Sequence, residues 1–287
     1  LVKQPAASAL VREIKDEIAI PVHFHTHDTS GVSGASVLAA AEAGVDAADG
    51  AMDAFASLTS QPPLGSIVAA LQHQERDTGL DLDTVREISF YWEGVRRMYA
   101  PFESDMRSGT SEVYLHEMPG GQVTNLRAQA RAMGLEDRWH EVARTYAEVN
   151  REFGDVIKVT PIAKTVGDMA LTLVSAGLTA KDMVDPEHDI AFPDSVVTFF
   201  KAEVGQPPGG FPGALQKKVL RGAEPITVRP GSLMPPVDLE AKRAEASEAM
   251  EGHTVDDEDL CSYLLYPKVY LDYMGRRREY GPVRVLP

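Results

Sequence analysis

Pro21-Val-His-Phe-His-Thr-His-Asp28 places three of the chain's 8 histidines within five residues, at a spacing of two. Side chains of a strand alternate between its faces, so the stretch Ile20–His27 read as a strand sends His23, His25 and His27 to one face. A strand rises about 3.3 Å per residue, which separates His23 from His27 by about 13 Å. Two ligands of one ion lie much closer than that, because each stands about 2 Å from the metal. An adjacent pair is close enough. In a barrel, chemistry gathers at the C-terminal ends of the strands, which selects His25 and His27 as a metal-ligating pair. Asp28 follows at the strand tip, placed either to orient a ligand or to cap the Gly-rich turn 29–34. Two imidazoles need a further carboxylate or similar ligand to hold a divalent ion, and none stands nearby in sequence.

Outward from this strand, the pattern alternates helix and strand. Residues 6–18 read as a helix and 34–43 as another, ended by Gly44 in a left-handed cap. Residues 45–53 read as a second strand, 55–59 as a weaker third, and 64–74 as the helix that follows. Strands alternating with short helices specify a parallel sheet with crossovers, either doubly wound or a (β/α)8 barrel. After Gly79 the strands stop. Residues 122–133 and 136–153 read as helices with Gly134 between them. In the second, Trp139, Val142, Tyr146, Val149 and Phe153 recur at helical spacing. Further helices are expected at 166–175, ended by Gly177, and at 195–204, 214–220, 239–250, 256–266 and 268–274. The stretch 239–250 is charged and Ala-rich, as in a solvated helix. Pro/Gly-rich joints lie at 206–212 and 229–236. The texture therefore changes near residue 77, from α/β to all-helical.

The chain has 287 residues, 44% hydrophobic and 25% charged, an ordinary balance for a globular protein with a sizeable core. Its 28 Lys and Arg against 43 Asp and Glu leave a formal net charge of -15, which argues against a nucleic-acid binder. The single cysteine, Cys261, excludes an intrachain disulfide and makes a reducing compartment the default. No apolar run reaches the roughly 20 residues of a membrane span. The chain opens on Leu1 in mid-pattern and offers about three strands where a barrel needs eight, so it reads as the C-terminal part of a longer domain.

Other motifs are sparse. The stretch 29–36 lacks the Gly-Lys-Ser/Thr of a phosphate loop, and no Gly-x-Ser-x-Gly elbow occurs. The run Arg276-Arg277-Arg278 reads as a solvated helix terminus, and His73, His116, His140, His188 and His253 read as lone structural histidines. In Lys158-Val-Thr-Pro-Ile-Ala-Lys164, Thr160 precedes a proline and sits in the turn before a helix. Its hydroxyl suits either an N-terminal cap or a catalytic group.

Six segments, taken in order, resemble one family. These are His25-Thr-His27-Asp-Thr-Ser-Gly31, Thr59-Ser-Gln-Pro62, Tyr91-Trp-Glu-Gly94, Pro119-Gly-Gly-Gln122 with Asn125-Leu126, Lys158-Val-Thr-Pro161, and Gly167-Asp168. Pro193-Asp-Ser-Val196 and Pro208-Gly-Gly-Phe-Pro212 extend the likeness over nearly the whole chain. Together they are similar to the carboxyltransferase domain of biotin-dependent pyruvate carboxylases. The resemblance implies the C-terminal part of a (β/α)8 TIM barrel in residues 1–76, then an all-helical funnel in 77–287. It implies a divalent ion, Zn or Mn, on His25 and His27, completed by an Asp and a carboxylated lysine from strands that precede Leu1. It implies a proton relay through Thr160 between biotin and the methyl group of pyruvate, and a seat for the biotin ureido ring at Lys164. Biotin would arrive on another domain, carboxylated there with ATP. The product would be oxaloacetate, the assembly a homo-oligomer (a tetramer), and the compartment the cytoplasm, or the mitochondrial matrix in a eukaryote. No nucleic acid or membrane partner is implied. Ile162 and Ala163 depart from the pattern, which has two serines there, the second contacting biotin. Related readings are a biotin-dependent oxaloacetate decarboxylase or transcarboxylase subunit, a metal-dependent aldolase, lyase or synthase with the same histidine strand, and a non-catalytic assembly and docking module.

Overall fold

The structure, a computed structural model, describes residues 2–281; Leu1 and residues 282–287, the ends of the two expected segments, lie outside the described residues. Two compact units divide at Val228/Arg229.

The first unit opens with α1 (Gln4–Glu17), whose Pro5 suits a first turn that needs no amide donor. The strand β1 (His23–Phe24), the helix α2 (Ser33–Glu42) and the strand β2 (Ala47–Ala48) follow. The two strands run parallel, with His23 opposite Ala47 and Phe24 opposite Ala48. Both are shorter than their sequence pattern implies, because each finds a single partner among the described residues. The alternation itself persists beyond the ladder. Phe24, Thr26 and Asp28 are buried while His23 and His25 are exposed and His27 is half-buried. Val11 and Ala7 of α1, Val37, Ala40 and Ala41 of α2, Phe24, Val45 and Ile67 make the core of this α/β part.

The expected third strand at 55–59 is not formed. Residues Asp53–Phe55 make a 3-10 turn, and Ser57 and Leu58 adopt left-handed φ values of 70° and 54°. Two such residues in succession curl the chain into a loop closed by Ser57 N–H on Gln61 O at 2.8 Å. One parallel bridge, Ala51 with Pro63, leads into α3 (Leu64–Leu71).

Among the described residues all regular structure thereafter is helical. The helix α4 (Leu82–Tyr99) was not among the expected helices, although Leu82, Val85, Ile88, Trp92 and Val95 recur at helical spacing; of its residues Val85 and Ser89 are buried. Asp81 starts it as an N-cap, its carboxylate accepting from the Thr84 backbone N–H at 2.9 Å. Next come α5 (Val113–His116), α6 (Gly120–Ala132), α7 (Trp139–Glu152), α8 (Ile162–Ala176), α9 (Ala180–Val184), α10 (Asp194–Phe200) and α11 (Gly213–Leu220). The predicted face of α7 packs as read: Val142, Tyr146, Val149 and Phe153 are fully buried, and Trp139 lies against the same core. There Phe153 stacks on Phe199 at 5.8 Å and meets Phe200 edge-on at 5.0 Å. Burial pushes the Tyr146 phenol well above its ordinary range.

The second unit holds α12 (Leu239–Ala249), α13 (Asp257–Leu265) and α14 (Pro267–Tyr280). α12 buries only Ala246, as a solvated helix does. Ala246, Met250, Val255, Leu260, Tyr263 and Met274 form this unit's own small core. Among the described residues no helix is long and apolar enough to cross a membrane.

Candidate active site

The end of β1 brings His25 and His27 together. Their Nε2 atoms stand 3.5 Å apart and their rings meet nearly edge to face, with centroids at 5.2 Å. The opposite nitrogen of each ring is committed. His25 Nδ1 lies 2.6 Å from Asp49 Oδ2, and His27 Nδ1 lies 2.6 Å from the Thr59 carbonyl oxygen. A carbonyl can only accept, so His27 Nδ1 carries its proton. Hydrogen bonds from His25 and then His23 hold the Asp49 carboxyl below its ordinary range, so Asp49 is an ionised acceptor and His25 Nδ1 is also the protonated nitrogen. With both Nδ1 atoms committed as donors, the Nε2 atoms are the ring positions left to meet a ligand. Two Nε2 lone pairs facing each other across 3.5 Å would not satisfy one another, and a cation between them would. Two nitrogens bound at about 2.1 Å around a tetrahedral ion stand about 3.4 Å apart. The donor set thus fits a divalent ion, with Asp49 and the Thr59 carbonyl fixing the tautomers as outer partners of metal-bound histidines do.

His23 takes another course. Its Nε2 lies 2.7 Å from Asp49 Oδ1, so it shares the carboxylate rather than the space between the other two rings. Asp49 was not singled out in the sequence; it sits one residue past β2, and only the parallel register places it beside β1. Asp28 caps rather than ligates: it is buried and its carboxylate accepts from Ser33 N–H at 2.9 Å, at the start of α2. Among the described residues no group of three or more His, Cys, Asp or Glu side chains gathers as a metal cage.

His25 and His27 open onto a cleft of about 440 Å³ whose lining includes Tyr114, Glu117, Gly120 and Lys158. The N-terminus of α6 abuts the histidine pair directly, since a Cβ on Gly120 would fall 2.7 Å from the His27 ring. Lys158 Nζ donates to Glu117 Oε2 at 2.9 Å and ties the 156–161 turn to the wall of the cleft. Glu117, Tyr114 and Gly120 carry no local sequence signal for this role, because only the packing of α5 and α6 brings them here.

Thr160 lies on the same connection and Lys164 in the first turn of α8, neither among the residues lining that cleft. Thr160 is exposed, and the N-cap of α8 is Pro161, without a side-chain cap bond, so the helix-cap reading of Thr160 is overturned. A proline at that position already fixes the backbone and leaves the hydroxyl free. Lys164 is exposed and pairs with Asp168 one turn along α8, and Asp168 also accepts from Ser195 Oγ at 2.6 Å. Ala163 is buried and faces the helical core, where its carbonyl accepts from the Tyr146 hydroxyl at 3.4 Å.

Comparison with known proteins places these features in one lineage. The family of the conserved carboxylase domain matches residues 113–287, and the HMGL-like family matches residues 2–91. Pyruvate carboxylase of Bacillus subtilis is 49% identical over 286 residues, covering 100% of this chain and 25% of that protein. The mitochondrial pyruvate carboxylase of Homo sapiens is 41% identical, over 99% of this chain and 24% of that protein. Among solved structures, the carboxyl transferase domain of Rhizobium etli pyruvate carboxylase with pyruvate and biocytin superposes with a TM-score of 0.96 at 56% identity, over 100% of this chain and 48% of that one. The complete multifunctional enzyme of Rhizobium etli superposes at 0.95, over 28% of its chain. The chain therefore spans about a quarter of the length of the relatives it matches. Its fold is the C-terminal part of a TIM barrel continued by helices.

Proposed function

Because this chain belongs to the family of the conserved carboxylase domain, we propose that it builds part of the carboxyltransferase site of a biotin-dependent pyruvate carboxylase. There CO2 passes from carboxybiotin to pyruvate and oxaloacetate forms. The observation that carries the reading is the pair of Nε2 atoms of His25 and His27, 3.5 Å apart with both Nδ1 atoms hydrogen-bonded elsewhere. His25 and His27 hold a divalent ion, Zn or Mn, which when bound supplies a Lewis acid for the charge that develops on the keto acid.

Thr160 moves the proton. Its free hydroxyl takes a proton from the methyl group of pyruvate and passes one to the biotin nitrogen as the N–C bond to the departing CO2 breaks. The electron pair left on pyruvate forms the new C–C bond to CO2, so protons and charges balance. Lys164, steadied by Asp168, seats the ureido ring. Residues 1–76 supply the last strands and helices of the barrel and 77–287 the helical funnel. Biotin comes on a carrier domain charged with ATP elsewhere, in a homo-oligomer, a tetramer, of the cytoplasm or mitochondrial matrix.

Isotope exchange between pyruvate and oxaloacetate in the full chain, with and without added biotin, tests the reading. Biotin-dependent exchange is expected. Exchange indifferent to biotin, together with a Thr160→Ala variant as active as the parent, would overturn it.

A further inference from the structure

The segment 113–120 has a second cavity along it. Val113, Tyr114, Glu117 and Gly120 look into the histidine cleft, whereas Leu115 and His116 line a separate pocket of about 300 Å³ against α7. His116 is unusual there. It is only 6% exposed, and its Nδ1 accepts the Met118 backbone N–H at 3.1 Å. That bond requires Nδ1 to be unprotonated, so the neutral ring carries its proton on Nε2. Nε2 has no hydrogen-bond partner among the described residues, yet His116 lines the pocket. A buried imidazole thus offers one N–H donor to the cavity.

The cations stand around it. Arg144 and Arg151 are seven residues apart on α7, two turns along one face, with Ala147 between them leaving room. Neither guanidinium is ion-paired among the described residues, and Arg151 only touches the Ala147 carbonyl at 3.3 Å. The one carboxylate in the lining, Glu112, lies 3.8 Å from His140 Nδ1. Two arginines against one glutamate make this concavity net positive in a chain of net charge -15. Ala143, Ala147 and Leu115 supply its apolar lining.

We infer that this pocket is a binding site for a small oxyanion, an organic carboxylate or a phosphate, held by Arg144 and Arg151 and read by the Nε2–H of His116. The arginine forks give charge-assisted bonds, and the neutral histidine gives direction without the cost of a buried charge. Burial, opposed by the nearby Glu112 and Glu117, lowers the affinity of His116 for a second proton and keeps it in this donor form. The site stands independently of the metal pair and of Thr160.

Titration of the full chain with succinate and, separately, with inorganic phosphate tests it, read by calorimetry and by the side-chain nitrogen resonances of His116. Saturable binding with a shift of the His116 Nε2 resonance is expected. Arg144→Gln with Arg151→Gln should weaken it at least tenfold, while the charge-matched pair Lys181→Gln with Lys217→Gln leaves it unchanged. Binding of one anion only identifies the oxyanion class. Absence of saturation, a His116 resonance that does not move at saturation, or equal weakening by both variant pairs would overturn the assignment. Both pairs change exposed side chains, and a thermal melt of each verifies folding.

Discussion

Gly120 stands against the side chain of His27, so close that a methyl group on it would overlap the His27 Cβ and two ring atoms at 2.7 to 2.8 Å. Backbone of α6 therefore forms one side of the histidine pair, and the glycine is there for space. Gly120→Ala should push the His27 ring away from His25, at a packing cost of about 1–3 kcal/mol. The expected outcome is a lower melting temperature together with a loss of divalent-metal affinity, measured by cobalt titration. An alanine variant with parental melting and metal binding would show that the helix yields easily.

Asp49→Asn replaces the acceptor that fixes His25 Nδ1–H by an amide that can also donate. Outer partners of this kind are worth about 10–100-fold in metal affinity. Asp49 is partly exposed, so the fold should hold while the metal content of the purified protein drops. His23→Gln, which removes only the sharing of that carboxylate, should cost less. Equal metal content in all three proteins would refute the assignment of Asp49.

Thr160→Ala should abolish pyruvate–oxaloacetate exchange in the complete enzyme and leave biotin-dependent ATP cleavage largely intact, and Thr160→Ser should retain more activity. Because Thr160 is exposed and does not cap α8, neither change should move stability beyond about 0.5 kcal/mol. A melting curve shifted well beyond that would restore a structural role.

His116 gives the stability a pH dependence of known sign. Burial lowers its pKa in the folded state from the ordinary 6.5. Below about that pH the unfolded chain binds a proton that the folded chain refuses, so stability falls as pH drops from 6.5 toward the lower folded value. His116→Asn keeps an acceptor for the Met118 N–H and removes the titration. Its melting temperature should fall less than the parent's between pH 7 and pH 5. Parallel curves would mean that His116 titrates normally.

Phe200→Ala would open a cavity under Phe153 and Phe199, where both rings lie within 5.2 Å of Phe200. Truncations of this kind cost about 3–5 kcal/mol. Chemical denaturation should show a loss of that order, while Phe211, the half-buried ring at the margin, should cost less when truncated. Equal losses at both positions would argue that the cluster has no buried centre.

What the sequence alone determined is what depends on local periodicity and on residue type. Alternation over residues 23–28 marked the buried and open faces of the histidine strand, and a 3.6-residue period marked the buried face of α7, because each pattern is fixed by the backbone of its own element. It also marked His25 and His27 as neighbours on one face of that strand. Tertiary structure decided the rest. Asp49 and the Thr59 carbonyl reach the two rings from 24 and 32 residues away, and they decide which nitrogen of each imidazole is free. Gly120 meets His27 only because α6 starts against that strand. The strand expected at 55–59 failed because two left-handed residues turned it into a loop. Strand length, tautomer and close approach are each set by a partner distant in sequence, which no local pattern encodes.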